Sequence, residues 1–125
     1  MPDRWVAIVD DDPSVRSALS WVLRSAGIPV TSFESADEYL AAAAEHQPMC
    51  LVLDVHLRGM SGFELHDRLQ ASGSRVGVVF ITAHDEVTTE ELERRAGPQG
   101  YLRKPFDGDQ LLAIVRRIAQ MPAPG

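Results

Sequence analysis

The chain has one cysteine, Cys50, two tryptophans and two tyrosines, and fewer bases than acids, 12 against 18, for a net charge of −6. Each scarcity closes off a class of protein. With a single cysteine no internal disulfide can form, which points to a reducing compartment. The excess of acids argues against the chain, as given, holding a phosphate-backbone polymer by a basic patch. A basic protein partner or a divalent cation stays open. No apolar run approaches the ~20 residues that cross a bilayer, and the start "MPDRW" lacks a signal-peptide pattern. A soluble, cytoplasmic protein with no membrane contact is the expectation. There is no G-x-G-x-x-G for a dinucleotide, and no internal repeat. The only biased tract is "AAAA" at 41–44, a helix former.

What is present is ordinary: 125 residues, 45% apolar and 24% charged, enough for one domain with a real core. Apolar runs alternate with amphipathic stretches. "WVAIV" reads as a short buried strand. Over 13–26, Val15, Leu19, Val22, Leu23 and Ala26 share one helical face, and Gly27 ends the helix. "IPVTSF" (28–33) alternates as a strand near a sheet edge, where its proline is tolerated. Ser35 with Glu38 is a capping box opening a helix to about residue 46. "MCLVLDV" is continuous, as in a strand covered on both faces. Ser61 with Glu64 opens a further helix ending near Gly73. "VGVVFIT" is another buried strand. Residues 85–96 read as a helix poor in apolar residues, with Val87, Leu92 and Ala96 nearly all it offers a core. "GYLRK" is a short strand, and Asp107 caps a last helix with Leu111, Leu112, Ile114, Val115 and Ile118 on its apolar face. Five strands alternating with five helices predict a parallel sheet wrapped on both sides, in the flavodoxin-like (βα)5 three-layer sandwich of strand order 2-1-3-4-5.

In such sheets function gathers beyond the carboxyl ends of the strands. The first strong polar groups there are Asp10 and Asp11 after strand one, Asp54 after strand three, Thr82 after strand four, and Lys104 with Pro105 after strand five. Three carboxylates at one rim raise one another's pKa unless a cation sits among them. A hard divalent ion such as Mg²⁺ takes carboxylates, waters and a phosphate. Asp12 precedes Pro13, the pairing of an N-cap with a first-turn residue, so Asp12 is assigned to the helix and Asp10 with Asp11 to the ion. Taken singly, an acidic run, a lone Asp or a "KPF" is commonplace. Their joint position at four strand ends is not.

The stretches "IVDDDPSVRSAL", "LVLDVHLRGMSGFEL", "VVFITAH" and "AGPQGYLRKPF" resemble the receiver domains of bacterial two-component response regulators, in texture most like the FixJ-type regulators of the LuxR class. The resemblance covers nearly the whole chain, a receiver over 1–121 with 122–125 beginning a linker. It implies a phosphoaccepting switch rather than an enzyme, with a histidine kinase as donor and Mg²⁺ as cofactor. Asp54 would be the phosphoacceptor. Asp11 would bind the metal directly, Asp10 largely through water, and the backbone carbonyl of His56 would complete the protein ligands. Thr82 would hydrogen-bond the phosphoryl group, Lys104 would pair with it, and the bond to Pro105 is commonly cis. Tyr101 would be the aromatic that reports the phosphorylated state. Output would pass through the face of the fourth helix, fifth strand and fifth helix, and a homodimer would form through the face of the fourth helix and fifth strand. DNA would be reached only through a C-terminal domain, plausibly a LuxR-type helix-turn-helix, absent from this chain.

There are departures from the family pattern. Arg58 and Gly59 stand where many receivers have proline, and Arg58 is expected to face solvent. His56 and His84 occupy positions that tend to set how fast the phosphoryl group is lost. Pro98 replaces a commoner small residue before strand five. Trp21, beside the buried stripe of the first helix, is expected to be partly buried, although an exposed indole there could touch a kinase. Two other uses of the fold are a pseudo-receiver or a stand-alone regulator, each acting by protein binding alone. The intact Asp11, Asp54, Thr82 and Lys104 set disfavours the first. A haloacid-dehalogenase-type phosphatase needs an acid where His56 stands, and a flavodoxin needs a phosphate loop where the carboxylates stand.

Overall fold

The continuous apolar runs form the inner strands of a five-stranded parallel sheet in the computed structural model, which describes residues 5–83, 89–96 and 100–120, less the side chains of Thr89, Glu93 and Ala96. In chain order the elements are β1 (Val6–Val9), α1 (Pro13–Ser25), β2 (Val30–Phe33), α2 (Ala36–Ala43) and β3 (Cys50–Asp54). There follow α3 (Gly62–Ala71), β4 (Gly77–Ala83), α4 (Thr89–Ala96), β5 (Tyr101–Lys104) and α5 (Gly108–Gln120). The strand order is β2-β1-β3-β4-β5 with every neighbouring pair parallel, so the expected topology is the observed one.

Burial follows position in the sheet. Every residue of β1 and β3 is buried, whereas the edge strands β2 and β5 each bury one residue. The period of two along each strand sorts side chains to opposite faces. Ala7, Val9, Leu51, Leu53, Val78 and Phe80 meet α2, α3 and α4 through Tyr39, Leu65 and Leu92. Their neighbours Val6, Ile8, Val52, Val79 and Ile81 meet α1 and α5 through Leu19, Leu23, Leu111 and Val115. No helix among the described residues is long and apolar enough to cross a membrane.

The helix boundaries show their causes. Asp12 accepts the Ser14 amide at 2.8 Å with Pro13 behind it, a cap worth about 1 kcal/mol. Ser35 and Ser61 accept the amides of Glu38 and Glu64, both at 3.1 Å, and Asp107 accepts that of Asp109 at 2.9 Å. α1 closes at Gly27, whose φ of 79° suits glycine. The Gly27 amide donates to Arg24 O and that of Ile28 to Leu23 O, the paired bonds that finish a helix.

Three expectations need correction. β2 begins at Val30 rather than residue 28, because Ile28 is spent on the α1 closure and proline at 29 has no N–H to give a ladder. α2 ends at Ala43 rather than near 46: residues 44–47 face solvent, and Pro48 opposes a helical residue before it. Trp21 is 72% exposed, not partly buried, since α1 turns Leu19 and Leu23 to the core and leaves Trp21 on its far side. Val87 and the expected start of the fourth helix, with His84, Pro98 and the linker at 122–125, lie outside the described residues.

Candidate functional site

A parallel sheet brings all its carboxyl ends to one rim, and the register sets which groups become neighbours there. Val9 lies beside Leu53, so Asp10 and Asp54, each the next residue, emerge side by side. Asp54 pairs with Ile81, and Ala83 with Lys104, which places Thr82 and the lysine on the adjoining strands.

One carboxylate oxygen from each of Asp10, Asp11 and Asp54 lies within 4.8 Å of the others. Asp10 is 1% exposed and Asp54 5%. Lys104 lies between two of them, its Nζ 3.2 Å from Asp10 Oδ2 and 3.8 Å from Asp54 Oδ2. Asp10 Oδ1 accepts the Asp12 amide at 2.9 Å, and Asp54 Oδ1 accepts the His56 amide at 3.3 Å. Asp10 Oδ2 is buried and, despite the nearby ammonium, receives no directed hydrogen bond. Three carboxylates against one half-buried ammonium and one solvent-exposed guanidinium leave a net negative charge at this rim. A hard divalent cation with oxygen ligands fits that donor set.

The charge crowding is visible on Asp54. Burial, then the charge of Asp10, push its carboxyl from 3.8 up to about 6, against the opposing pull of Lys104 and the His56 N–H. Thr82 is fully buried, and its hydroxyl donates to the Ala83 carbonyl at a long 3.3 Å. Tyr101 is half-buried against the cluster that contains Phe80. The Lys104–Pro105 peptide is cis, as the resemblance implied, and Pro105 is exposed. His56 and Arg58 are exposed; the Arg58 side chain, 92% accessible, reaches Asp11 only at 3.8 Å.

Two contributors were missed in the sequence. Gly62, the first residue of α3, has no room for a side chain, because a Cβ there would collide with the Asp54 carbonyl oxygen and stand 2.9 Å from Val55 Cα. Its amide donates to Val55 O at 2.8 Å, so α3 begins directly on the strand end that carries Asp54. The visible signal was the glycine just after Ser61 in the capping box. Arg16 Nη1 donates to the Asp10 carbonyl at 2.8 Å, tying α1 to the acidic loop. Only its spacing of one and a half turns from the acids hinted at this.

Residues 6–116 match the response regulator receiver domain family. The chain belongs to that family. FixJ of Azorhizobium caulinodans, a transcriptional regulatory protein, is 37% identical over 111 residues, which are 89% of this chain and 53% of that protein. The DNA-binding transcriptional regulator NtrC of Salmonella typhimurium is also 37% identical, over 90% of this chain but 24% of its own length. This receiver thus spans from about a quarter to about half the length of these two relatives. Among solved structures, a receiver protein from Burkholderia phymatum superposes with a TM-score of 0.82 at 38% identity, covering 98% of this chain and all of that one. The FixJ-N crystal structure gives 0.84 at 30% identity, over 99% and 100%. Likeness to both FixJ and NtrC places the receiver in the family of phosphoacceptor switches without fixing the class of output domain.

Proposed function

We propose that Asp54 accepts a phosphoryl group from a phosphohistidine of a kinase, and that Asp10, Asp11 and the backbone carbonyl of His56 hold Mg²⁺ beside it. The observation that carries this reading is the three-carboxylate group at the ends of β1 and β3, in which the buried Asp10 Oδ2 receives no directed hydrogen bond. In the transfer, an Asp54 oxygen bonds to phosphorus as the P–N bond to the donor imidazole breaks. The bound cation supplies charge neutralisation, without which a carboxylate is a poor nucleophile toward an anionic donor. Lys104, already between two carboxylates, pairs with the incoming oxygens. The Thr82 hydroxyl, which makes a long bond to its neighbour's carbonyl, turns to the phosphoryl group. The acyl phosphate adds roughly −1.5 to −2 of charge and three acceptors. Tyr101 and the turn at Pro105 respond, and the face of α4, β5 and α5 shifts between two populations.

The domain comprises residues 1–121, and 122–125 begin a linker. In the full-length protein, which acts in the cytoplasm, output passes to a DNA-binding domain that controls transcription. The kinase approaches beside α1, where exposed Trp21 borders an apolar hollow of about 520 Å³ lined by Val15, Val22 and Phe106 as well as Lys104. Homodimers form through α4 and β5. The receiver assists its own phosphorylation and dephosphorylation and turns over no other substrate.

Intact-mass spectrometry after incubation with Mg²⁺ and acetyl phosphate tests the assignment. One added phosphoryl group is expected, absent without Mg²⁺ and absent in Asp54→Asn. Beryllium fluoride, a phosphoryl mimic that does not hydrolyse in the same way, separates rapid loss from failure to react. If neither reagent engages Asp54, the phosphoacceptor reading is wrong and a module acting by protein binding alone takes its place.

A further inference from the structure

α4 is an odd helix to find holding its place. Of its sequence TEELERRA, Leu92 is fully buried, while Glu90 and Arg94 are exposed. Glu91 is half-buried and makes a contact of its own, and the hold on α3 comes from Arg95. Its Nη1 lies 2.7 Å from Asp67 Oδ1 on α3, and its guanidinium sits 4.7 Å from the centre of the Phe63 ring. Asp67 and Phe63 are four residues apart, hence on one side of α3. A single arginine therefore grips α3 by both charge and ring face, with its side chain one-third exposed (33%).

The grip connects to the site through packed rings. Phe63 meets Phe80 edge-on with centroids 5.1 Å apart, and His66 of α3 meets the same ring at 5.2 Å. Phe80 is fully buried on β4, two residues before Thr82 and therefore on the same face of the sheet. Thr82, Phe80, Phe63 and Arg95 thus form a line from the phosphoacceptor rim to α4. Close-packed groups resist gradual deformation, so a reorientation at Thr82 is felt at the ring pair.

We propose that Arg95 is a latch that fixes α4 on α3 in the unphosphorylated receiver, and that phosphorylation of Asp54 releases it. The release step rests on the phosphoacceptor reading above. An exposed ion pair contributes little to overall stability. This one matters because α4 has one buried described side chain besides it, so local opening of that helix is controlled by few contacts. A contact made in one state only also sets the equilibrium between states. Breaking it favours the released state and, by linkage, tightens any ligand that selects that state.

The test uses Arg95→Gln, Asp67→Asn and the double variant, with Arg94→Gln as an exposed neighbouring control. Amide hydrogen exchange of α4 is measured first in EDTA, with no phosphoryl mimic present. Apparent affinity for beryllium fluoride with Mg²⁺ is measured second. Each single variant is expected to speed α4 exchange and to tighten beryllium fluoride binding, Arg95→Gln by about threefold and Asp67→Asn by no more than that, and the double variant to do no more than Arg95→Gln alone. Arg94→Gln changes neither. A tightening is the decisive sign, because a purely structural role would leave the affinity unchanged or weaken it. Unchanged exchange overturns the latch itself. Faster exchange with unchanged affinity makes Arg95 a static clamp and overturns its part in the switch. If the unsubstituted receiver binds no beryllium fluoride, the phosphoacceptor reading fails and the release step with it, while the exchange result still judges the clamp.

Discussion

The raised pKa of Asp54 makes its replacement by asparagine a stabilising change, and the gain has a definite pH dependence. Burial and the Asp10 charge move the carboxyl from 3.8 to about 6 in the folded chain. At about 1.4 kcal/mol per pKa unit, keeping Asp54 ionised at pH 7.5 costs the folded state about 3 kcal/mol. The folded state binds this proton more tightly than the unfolded one, so stability falls as pH rises through the window between the two values and is level above it. Asparagine keeps an oxygen for the His56 amide and forfeits the attraction of Lys104, which lies 3.8 Å away. A net gain of ~1–3 kcal/mol is expected at pH 7.5 in EDTA, with the carboxylate's own contribution shrinking to about 1 kcal/mol at pH 4.5. Urea unfolding of both proteins at the two pH values measures it. If the acidic group holds Mg²⁺ as proposed, adding it is expected to stabilise the unsubstituted chain by mass action and so narrow the gap. An Asp54→Asn protein no more stable at pH 7.5, or a gain that does not depend on pH, would show that the site is not charge-frustrated and would remove the physical reason for a cation there.

Three further perturbations follow from the same geometry. Gly62→Ala drives a methyl into the Asp54 carbonyl and is expected to cost about 2 kcal/mol or more in thermal unfolding; a neutral result would mean that α3 slides without cost. Lys104→Met removes the ammonium that lowers the Asp54 pKa, so NMR titration of that carboxyl should move to higher pH, and an unmoved titration would rule out the ion pair. Trp21→Ala, at a 72% exposed position, should change stability by less than about 0.5 kcal/mol while weakening kinase-dependent phosphotransfer. A large stability loss would mean that the indole packs after all.

The site was legible because two simple regularities coincide. Alternation of apolar runs with amphipathic stretches names a parallel sheet, and a parallel sheet puts the residues after each strand at one rim. Asp10, Asp54, Thr82 and Lys104 could therefore be assembled without knowing a single distance, and the register puts Asp10 beside Asp54 as that logic requires. The capping residues Asp12, Ser35, Ser61 and Asp107 were legible for a similar reason, since each acts within three residues of itself. Groups that depend on a distant partner were not. Arg95 reads as one more charge on a polar helix, because its partners Asp67 and Phe63 lie on another helix, Asp67 being 28 residues away. Gly62 reads as an ordinary loop glycine until the strand end beneath it is in place. Trp21 misled through its type: indoles usually find cover, but Trp21 falls midway between Leu19 and Leu23 in sequence, hence on the opposite side of α1, and is 72% exposed.

That division bears on how a receiver divides its labour. The residues proposed for phosphoryl chemistry follow from short-range pattern and topology, and Asp10, Asp54 and Thr82 sit at the ends of the sheet's buried inner strands. The proposed control of α4 rests instead on one arginine gripping a neighbouring helix, a contact that costs the core nothing to gain or lose. A switch needs both properties. Its chemistry must be held rigidly enough that Lys104 and the carboxylates meet the phosphoryl group without rearrangement, whereas its output element must be attached by an energy small enough for one covalent modification to overcome. With Leu92 as the one buried described side chain on α4, the attachment is of that small kind. The polar sequence that made this helix look structurally weak is, on this argument, what allows it to respond.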